Sequence, residues 1–325
     1  MLFKKAKSTL RDDSPKVQEI LERARNLENH KSYKYLYGYR TIGEGEIMHT
    51  LALYARWGYA RNFKVSQQDQ YDKLILEGYK LGLPVVVAQY GRDLLDDETT
   101  YDRGIQLLKN AIAEGNTFAA RTLGRYYLTN KKFVDVRGAL ECYTAIKENN
   151  RSSKYDEIIR CGLEAVKDEP YLKELKKGKF GNAYLVSDAI VSEYLKDKDE
   201  ERSFELNTEL DSIVHFLLLH SAQEGDNAEG QFRYANMWLC GLPVAANETN
   251  LSQNLSDYAK GEAFKYYAFA AAKNHPIACY NLGLCYEKGI GCEPDLKAAI
   301  KMYKESAQLG FELANKKLAK LNAKK

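Results

Sequence analysis

The apolar positions of this chain recur at helical spacing, most clearly from Ile277 to Phe311, which reads IACYNLGLCYEKGIGCEPDLKAAIKMYKESAQLGF. Ala278, Leu282, Gly283 and Tyr286 fall on one face of a helix predicted over 277–288. The run Gly289-Ile290-Gly291-Cys292-Glu293-Pro294 interrupts it, because glycine favours positive φ and proline has no amide proton to donate. Asp295 suits the start of a second helix, with its carboxylate near the positive end of the dipole. That helix carries Ala299, Met302, Tyr303 and Ser306 at helical spacing and stops at Gly310. The unit is a helix pair of about 35 residues, a period that predicts a repeat array.

The pattern extends along the whole sequence. Residues 1–13 are polar and basic. Ser14-Pro15 reads as an N-cap followed by proline at the first helical position. It opens a helix over about 15–30 with Val17, Ile20, Leu21, Ala24 and Leu27 in one stripe. Tyr33, Tyr35, Tyr37 and Tyr39 then alternate, but the context predicts a helix that spreads them around its surface, followed by a turn at Gly43–Gly45. This tyrosine cluster is either an interaction hot spot or the packing of a capping segment. Repeat one runs over 46–82, repeat two over 83–115 and repeat three over 116–150. Gly91, Gly124 and Gly283 share one register, and Gly104, Gly138, Gly261 and Ala298 share another. A glycine inside a helix costs about 1 kcal/mol against alanine, so its recurrence predicts that two helices touch closely there.

The segment 151–226 is read as diverged helical repeats: a helix near 154–166, a stop at Asp168-Glu169-Pro170, then helices over 180–196 and 201–223. The C-terminal repeats occupy 227–311, with an Asn- and Ser-rich loop insertion at 244–259. Its N-x-[ST] triplets at Asn247, Asn250 and Asn254 would be glycosylated only in a secreted eukaryotic protein. Residues 1–45 are expected to cap the array at one end and an amphipathic helix over 312–325 at the other.

In Ile277–Phe311 the order A-x-x-x-L-G-x-x-Y-x-x-G-x-G, then D-x-K-A-x-x-x-x-Y, then small residues and glycine, resembles a Sel-one-like repeat. The resemblance is also clear over 83–150 and weaker elsewhere. It implies an all-α fold, an α-α superhelix: a right-handed solenoid of stacked antiparallel helix pairs, related to tetratricopeptide arrays. It also implies a protein that binds partners and has no chemistry of its own. Some secreted relatives pair a cysteine late in one repeat with one early in the next. Here Cys279 has only Ala271 and Ala272 opposite it, which fits reduced thiols in a cytosolic protein.

Composition narrows this only a little. A formal net charge of +3 over 325 residues argues against a dedicated nucleic-acid binder. No stretch of about eighteen apolar residues is present to span a membrane. The N-terminal MLFKKAKSTLRDDSPK lacks the apolar run of a secretory signal, so the sequence predicts a cytoplasmic protein. Few prolines and no long disordered tails point mildly to a bacterial source.

Candidate chemistry is sparse: no phosphate loop, nucleophile elbow, zinc-binding helix or C-x-x-C occurs, and neither a catalytic residue, a metal nor a cofactor is expected. His215 and His220, with Asp211 and Glu224 nearby, lie five apart on a predicted helix, a step that rotates ligands away from one another. The KELKKGK run and the terminal lysines read as solvated surface. One register is more specific. Aligned on Ala55, Gly91 and Gly124, the next residue is always arginine: Arg56, Arg92 and Arg125. In the related tetratricopeptide arrays this register faces the concave groove. The position three before the small residue shares that face and holds Ala52, Ala88 and Arg121. Arginine forks bind carboxylates bidentately, so the groove would take an acidic segment or the C-terminal carboxylate of a partner, unless each arginine pairs with a carboxylate such as Asp93 or Glu141. In the C-terminal half the two positions hold Asn236 and Leu284, with Phe232 and Tyr280.

The sequence therefore predicts an adaptor or scaffold that binds a protein or peptide, with neither nucleic acid nor membrane as partner. Two alternatives stand beside it: an immunity protein neutralising a single toxin, and an enzyme with an unrecognised site near Asp211, His215 and Glu224. Partner and oligomeric state are not encoded in any motif.

Overall fold

The computed structural model describes residues 14–42, 45–60, 65–196, 208–224, 227–240 and 256–323. Among them the fold is all-α, of the paired-helix superhelix class that the sequence predicts, with no strand. The helices are α1 (Pro15–Arg25), α2 (Asn29–Tyr37), α3 (Glu46–Arg56), α4 (Gln67–Lys80), α5 (Pro84–Asp93), α6 (Tyr101–Ala113), α7 (Thr117–Thr129), α8 (Val136–Glu148) and α9 (Lys154–Val166). They continue as α10 (Leu172–Leu175), α11 (Ala183–Lys196), α12 (Thr208–Gln223), α13 (Ala228–Cys240), α14 (Asp257–Ala271), α15 (Pro276–Lys288), α16 (Leu296–Gln308) and α17 (Glu312–Asn322). The glycosylation triplets, the N-terminal 1–13 and most of the 244–259 insertion lie outside the described residues.

The starts of the helices follow from local chemistry. Proline occupies the first turn of α1, α5 and α15, where its missing N–H costs nothing. Side chains of Ser66, Ser256 and Asp295 accept hydrogen bonds from the free amides of α4, α14 and α16. Ser153 and Asp156 form a reciprocal capping box on α9. One predicted helix is divided. Instead of running to residue 30, the first helix ends at Arg25 and α2 begins at Asn29. The buried Ser32 hydroxyl donates to the carbonyls of Ala24 at 2.5 Å and Leu27 at 3.0 Å, tying α2 back to the end of α1, where the Leu27 amide also bonds the Ala24 carbonyl.

Two compact units result, 1–124 with 142–151 and 125–141 with 152–325. In the first, α1–α5 enclose Leu21, Leu36, Ile47, Met48, Leu51, Leu74 and Val86. Neighbouring α4 and α5 pack closely at Gly78, where a β-carbon would meet the Val86 side chain at 2.6 Å. Helices α3 and α5 run side by side, with His49 bonded to Gln89. In the second unit α9 lies on α11 at Gly162, where a β-carbon would stand 2.6 Å from the Ile190 backbone. There α13 pairs with α14, α15 with α16, and α17 covers α16.

The glycine registers mark close approaches, with one exception. A β-carbon at Gly104 would lie 2.6 Å from the Gly91 carbonyl oxygen, and one at Gly124 would lie 2.9 Å from the Tyr143 ring. At Gly138 the Tyr127 ring would be 3.0 Å away. Gly261 has nothing within 4 Å among the described residues, so the expectation of a tight crossing fails there.

Candidate protein-interaction site

In the first unit Arg56 ends α3 and Arg92 lies near the end of α5, both exposed. Beneath them is a polar network that no sequence register signals. The Tyr71 hydroxyl donates to Asp93 Oδ2 at 2.7 Å, and Gln89 Nε2 donates to Asp93 Oδ1 at 2.7 Å. Gln89 Nε2 also reaches the Tyr71 hydroxyl, and its Oε1 lies 3.0 Å from His49 Nε2. The Arg56 guanidinium sits over the Tyr71 ring, 5.2 Å from its centroid. Burial pushes the Asp93 carboxyl up from its usual range, against the pull of its two hydrogen bonds and the charges of Arg92 and Arg56. Burial likewise lowers the His49 imidazole and, with the Asp93 bond, raises the Tyr71 phenol. The arginine heads thus stand above a carboxylate of their own unit and remain solvent-facing.

The other arginines differ. Arg121, in the first unit, is half-buried and donates to the Arg151 carbonyl at 3.1 Å. Arg125, in the second, is exposed, as Arg56 and Arg92 are. Ala52 and Ala88 are fully buried and present nothing to a ligand.

The C-terminal candidates are placed otherwise than the register implied. Phe232 is 0% exposed and stacks on the His275 ring at 4.5 Å. Asn236 is 1% exposed and accepts a hydrogen bond from the Tyr267 hydroxyl at 2.5 Å. Leu284 is buried with Ala299 and Tyr303, and Tyr280 packs half-buried against Tyr303 and Phe311. Phe232, Asn236 and Leu284 are interior residues. Large tyrosines on the second helix of each pair, Tyr267 and Tyr303, fill the space that the register assigned to a groove.

Nor do the residues of the suggested enzymatic site converge. His215 lies edge-on to Tyr234 and Trp238, and His220 packs against Phe216 and Phe180. The Glu224 carboxylate accepts from the Phe180 amide. Burial lowers both imidazoles. No group of three or more His, Cys, Asp and Glu side chains among the described residues is arranged to hold a metal ion. No described helix is long and apolar enough to cross a membrane.

A further surface has little signature in the sequence. Trp57 is 58% exposed and lies tilted against Tyr54 and edge-on to Tyr59, one residue from Arg56. Only its place after the last helical residue of α3, beyond the apolar stripe, signals this.

The Sel1 repeat family model matches residues 255–275 and 276–311, the α14–α16 region whose turn and capping geometry are given above. Residues 255–311 are Sel1 repeats. Curated proteins with similar segments include the rat DAP3-binding cell death enhancer 1, 40% identical over 60 residues, which are 18% of this chain and 12% of that protein. Another is chitin synthase regulatory factor 3 of Schizosaccharomyces pombe, 37% identical over 49 residues, 15% of this chain and 5% of that one. The matches therefore span a small part of these relatives' own lengths. Among solved structures, a protective antigen of uropathogenic Escherichia coli strains displaying an SLR fold aligns over 94% of this chain and 58% of its own, at 17% identity and TM-score 0.36. A Sel1 repeat protein from Oxalobacter formigenes aligns over 95% and 91%, at 16% identity and TM-score 0.31.

Proposed function

We propose that this protein is an adaptor that binds a protein partner, and that Arg56 and Arg92 hold an acidic segment of it. The observation carrying this reading is the pair of exposed guanidinium groups on neighbouring α3 and α5. Arginine presents a planar fork suited to carboxylates, and the aromatic Trp57–Tyr54–Tyr59 cluster beside Arg56 adds the residue types that dominate binding hot spots. Arg125 is a separate candidate contact, in the second unit, and Arg121 a weaker one in the first, since its guanidinium already serves the Arg151 carbonyl. The rat relative is named for binding another protein, DAP3, which supports a binding role for the matched segment. A cytoplasmic location suits the half-buried free thiols Cys161 and Cys292, which an oxidising compartment would expose to pairing.

The test is affinity capture from source-cell lysate followed by mass spectrometry, with wild type beside an Arg56→Glu/Arg92→Glu variant of matching circular dichroism. A partner held by wild type and lost by the variant is the expected result. A partner held equally by both removes the arginine site, and attention then moves to Arg125 and the tyrosines of α2.

A further inference from the structure

Two lysine-bearing segments far apart in sequence meet in the second unit. The turn after α7 carries Lys131 and Lys132, and the stretch through and after α10 carries Lys173, Lys176, Lys177 and Lys179, all six exposed. The contact is built by the backbone. The Val134 amide donates to the Leu175 carbonyl at 3.0 Å. Gly178, at φ +82°, comes so close under the turn that a β-carbon there would lie 2.5 Å from the Lys132 carbonyl oxygen. No other residue tolerates both that φ and that approach. Lys176 is further tied to Asp135, with 2.9 Å between Nζ and Oδ2.

The surface so formed is unbalanced in charge. Its carboxylates include Asp135, Glu174, paired with Lys177 and Lys179, and Glu224, whose carboxylate accepts from the Phe180 amide at the edge near His220. The stretches 131–135 and 173–179 themselves hold six lysines against two carboxylates, Asp135 and Glu174. The lysine–Glu174 pairs are solvent-exposed, and exposed pairs are worth about 0–1 kcal/mol, so an incoming anion displaces them at little cost. We propose that the lysines of 131–132 and 173–179 form a docking platform for an acidic, Asp- or Glu-rich protein segment. This does not rest on the Arg56–Arg92 site, which lies in the other unit.

Carboxylate-rich peptide is favoured over the other polyanions by what surrounds the lysines. Recognition of single-stranded nucleic acid uses exposed rings on which bases stack, and a membrane surface draws in exposed apolar side chains. Among the described residues the exposed large hydrophobics are Tyr37, Trp57, Val65, Leu76, Tyr258, Phe269, Leu296 and Leu309, none of them in 125–141 or 171–180. Phe133 and Tyr126, next to the lysine turn, are turned edge-to-face on one another and half-buried. The platform offers point charges and little else.

The experiment measures fluorescence anisotropy of a labelled oligoglutamate peptide with the full-length protein at low salt. Three proteins are compared: wild type, Lys131→Glu/Lys177→Glu, and a control with the same charge change on α16, Lys297→Glu/Lys304→Glu. Both substituted pairs are exposed, so circular dichroism should match wild type. The expected result is binding weakened about tenfold or more by Lys131→Glu/Lys177→Glu, far less changed by the control, and abolished for wild type by high salt. Equal weakening by both variants would show general charge attraction and overturn the platform. So would peptide binding that Lys131→Glu/Lys177→Glu leaves intact. In parallel, phosphatidylserine vesicles and oligouridylate are titrated. If either binds wild type through these lysines while the peptide does not, the acidic-protein assignment is wrong. Loss of binding in the control variant alone would place the peptide elsewhere and sink the platform.

Discussion

The ring of Tyr303 occupies the space where a side chain at position 283 would begin. A β-carbon added to Gly283 would stand 2.6 Å from Tyr303 Cε1 and 3.2 Å from the Ala299 carbonyl oxygen. The ring is held in place from its far side, because its hydroxyl donates to Glu287, which in turn pairs with Lys317 of α17 at 2.8 Å. Glycine at 283 therefore lets α15 and α16 close on a fixed ring. Alanine would gain helix propensity worth about 1 kcal/mol but would overpack a site that cannot yield, at about 1–3 kcal/mol. Gly283→Ala is expected to destabilise the second unit by about 1 kcal/mol in urea titration, and a midpoint above that of wild type would refute the packing argument.

Gly261 supplies the opposite case. It lies inside α14 with nothing among the described residues within 4 Å of its missing side chain, although its sequence register matches that of Gly104 and Gly138. Gly261→Ala should raise stability by about 1 kcal/mol through the lower conformational entropy of the unfolded state. Thermal unfolding of the two alanine variants side by side reads the difference in sign.

Helix pairs and their capping residues were legible because each depends on residues a few positions apart, and most glycine contacts because the repeat returns glycine to the same register. Asp295 ahead of α16 and Gly310 after it both act locally. The groove residues were less legible because exposure depends on the neighbouring helix. The position after the small residue holds exposed Arg56 and Arg92, but in α13 and α15 it holds buried Asn236 and Leu284. Nothing in α13 itself announces that Tyr267 of α14 will bond to Asn236. The lysine turn and the 173–179 run likewise meet only through the Val134–Leu175 hydrogen bond and the Gly178 contact.

Asp188 on α11 gives the second unit a pH dependence. Arg233 lies 3.1 Å from its Oδ2, with Glu229 bonded to the same arginine at 2.8 Å. Burial, helped by the Glu229 charge, outweighs the arginine and pushes the Asp188 carboxyl from 3.8 up to about 6. The folded state then holds this proton more tightly than the unfolded one. Stability from this group is full below 3.8 and falls as pH rises to about 6. The loss is roughly 2–3 kcal/mol. Glu229 acts in the other direction: the His275 bond holds its carboxyl below the usual range, so its contribution is lost only as pH falls into the acid region. Asp188→Asn should flatten the decline between pH 4 and 6. Denaturant titrations of both proteins across that window check this, and an unchanged slope would assign the decline to another group.

Asp93 connects stability to the proposed binding site. Its two oxygens accept from Tyr71 and Gln89, and its charge lies close to Arg56 and Arg92. In Asp93→Asn the remaining oxygen can still accept from Gln89, but the amide group faces the Tyr71 hydroxyl, whose proton loses its acceptor, at about 1–2 kcal/mol. The same substitution removes the negative charge beneath the two exposed guanidinium groups. If those groups hold a carboxylate-bearing segment, the variant should bind it roughly two- to fivefold more tightly at low ionic strength, and the gain should shrink as salt rises. A merely structural role for Asp93 predicts lower stability with equal or weaker binding. Isothermal titration with the captured partner, beside urea unfolding of the same samples, separates the two, since only the binding role makes a less stable protein a better binder.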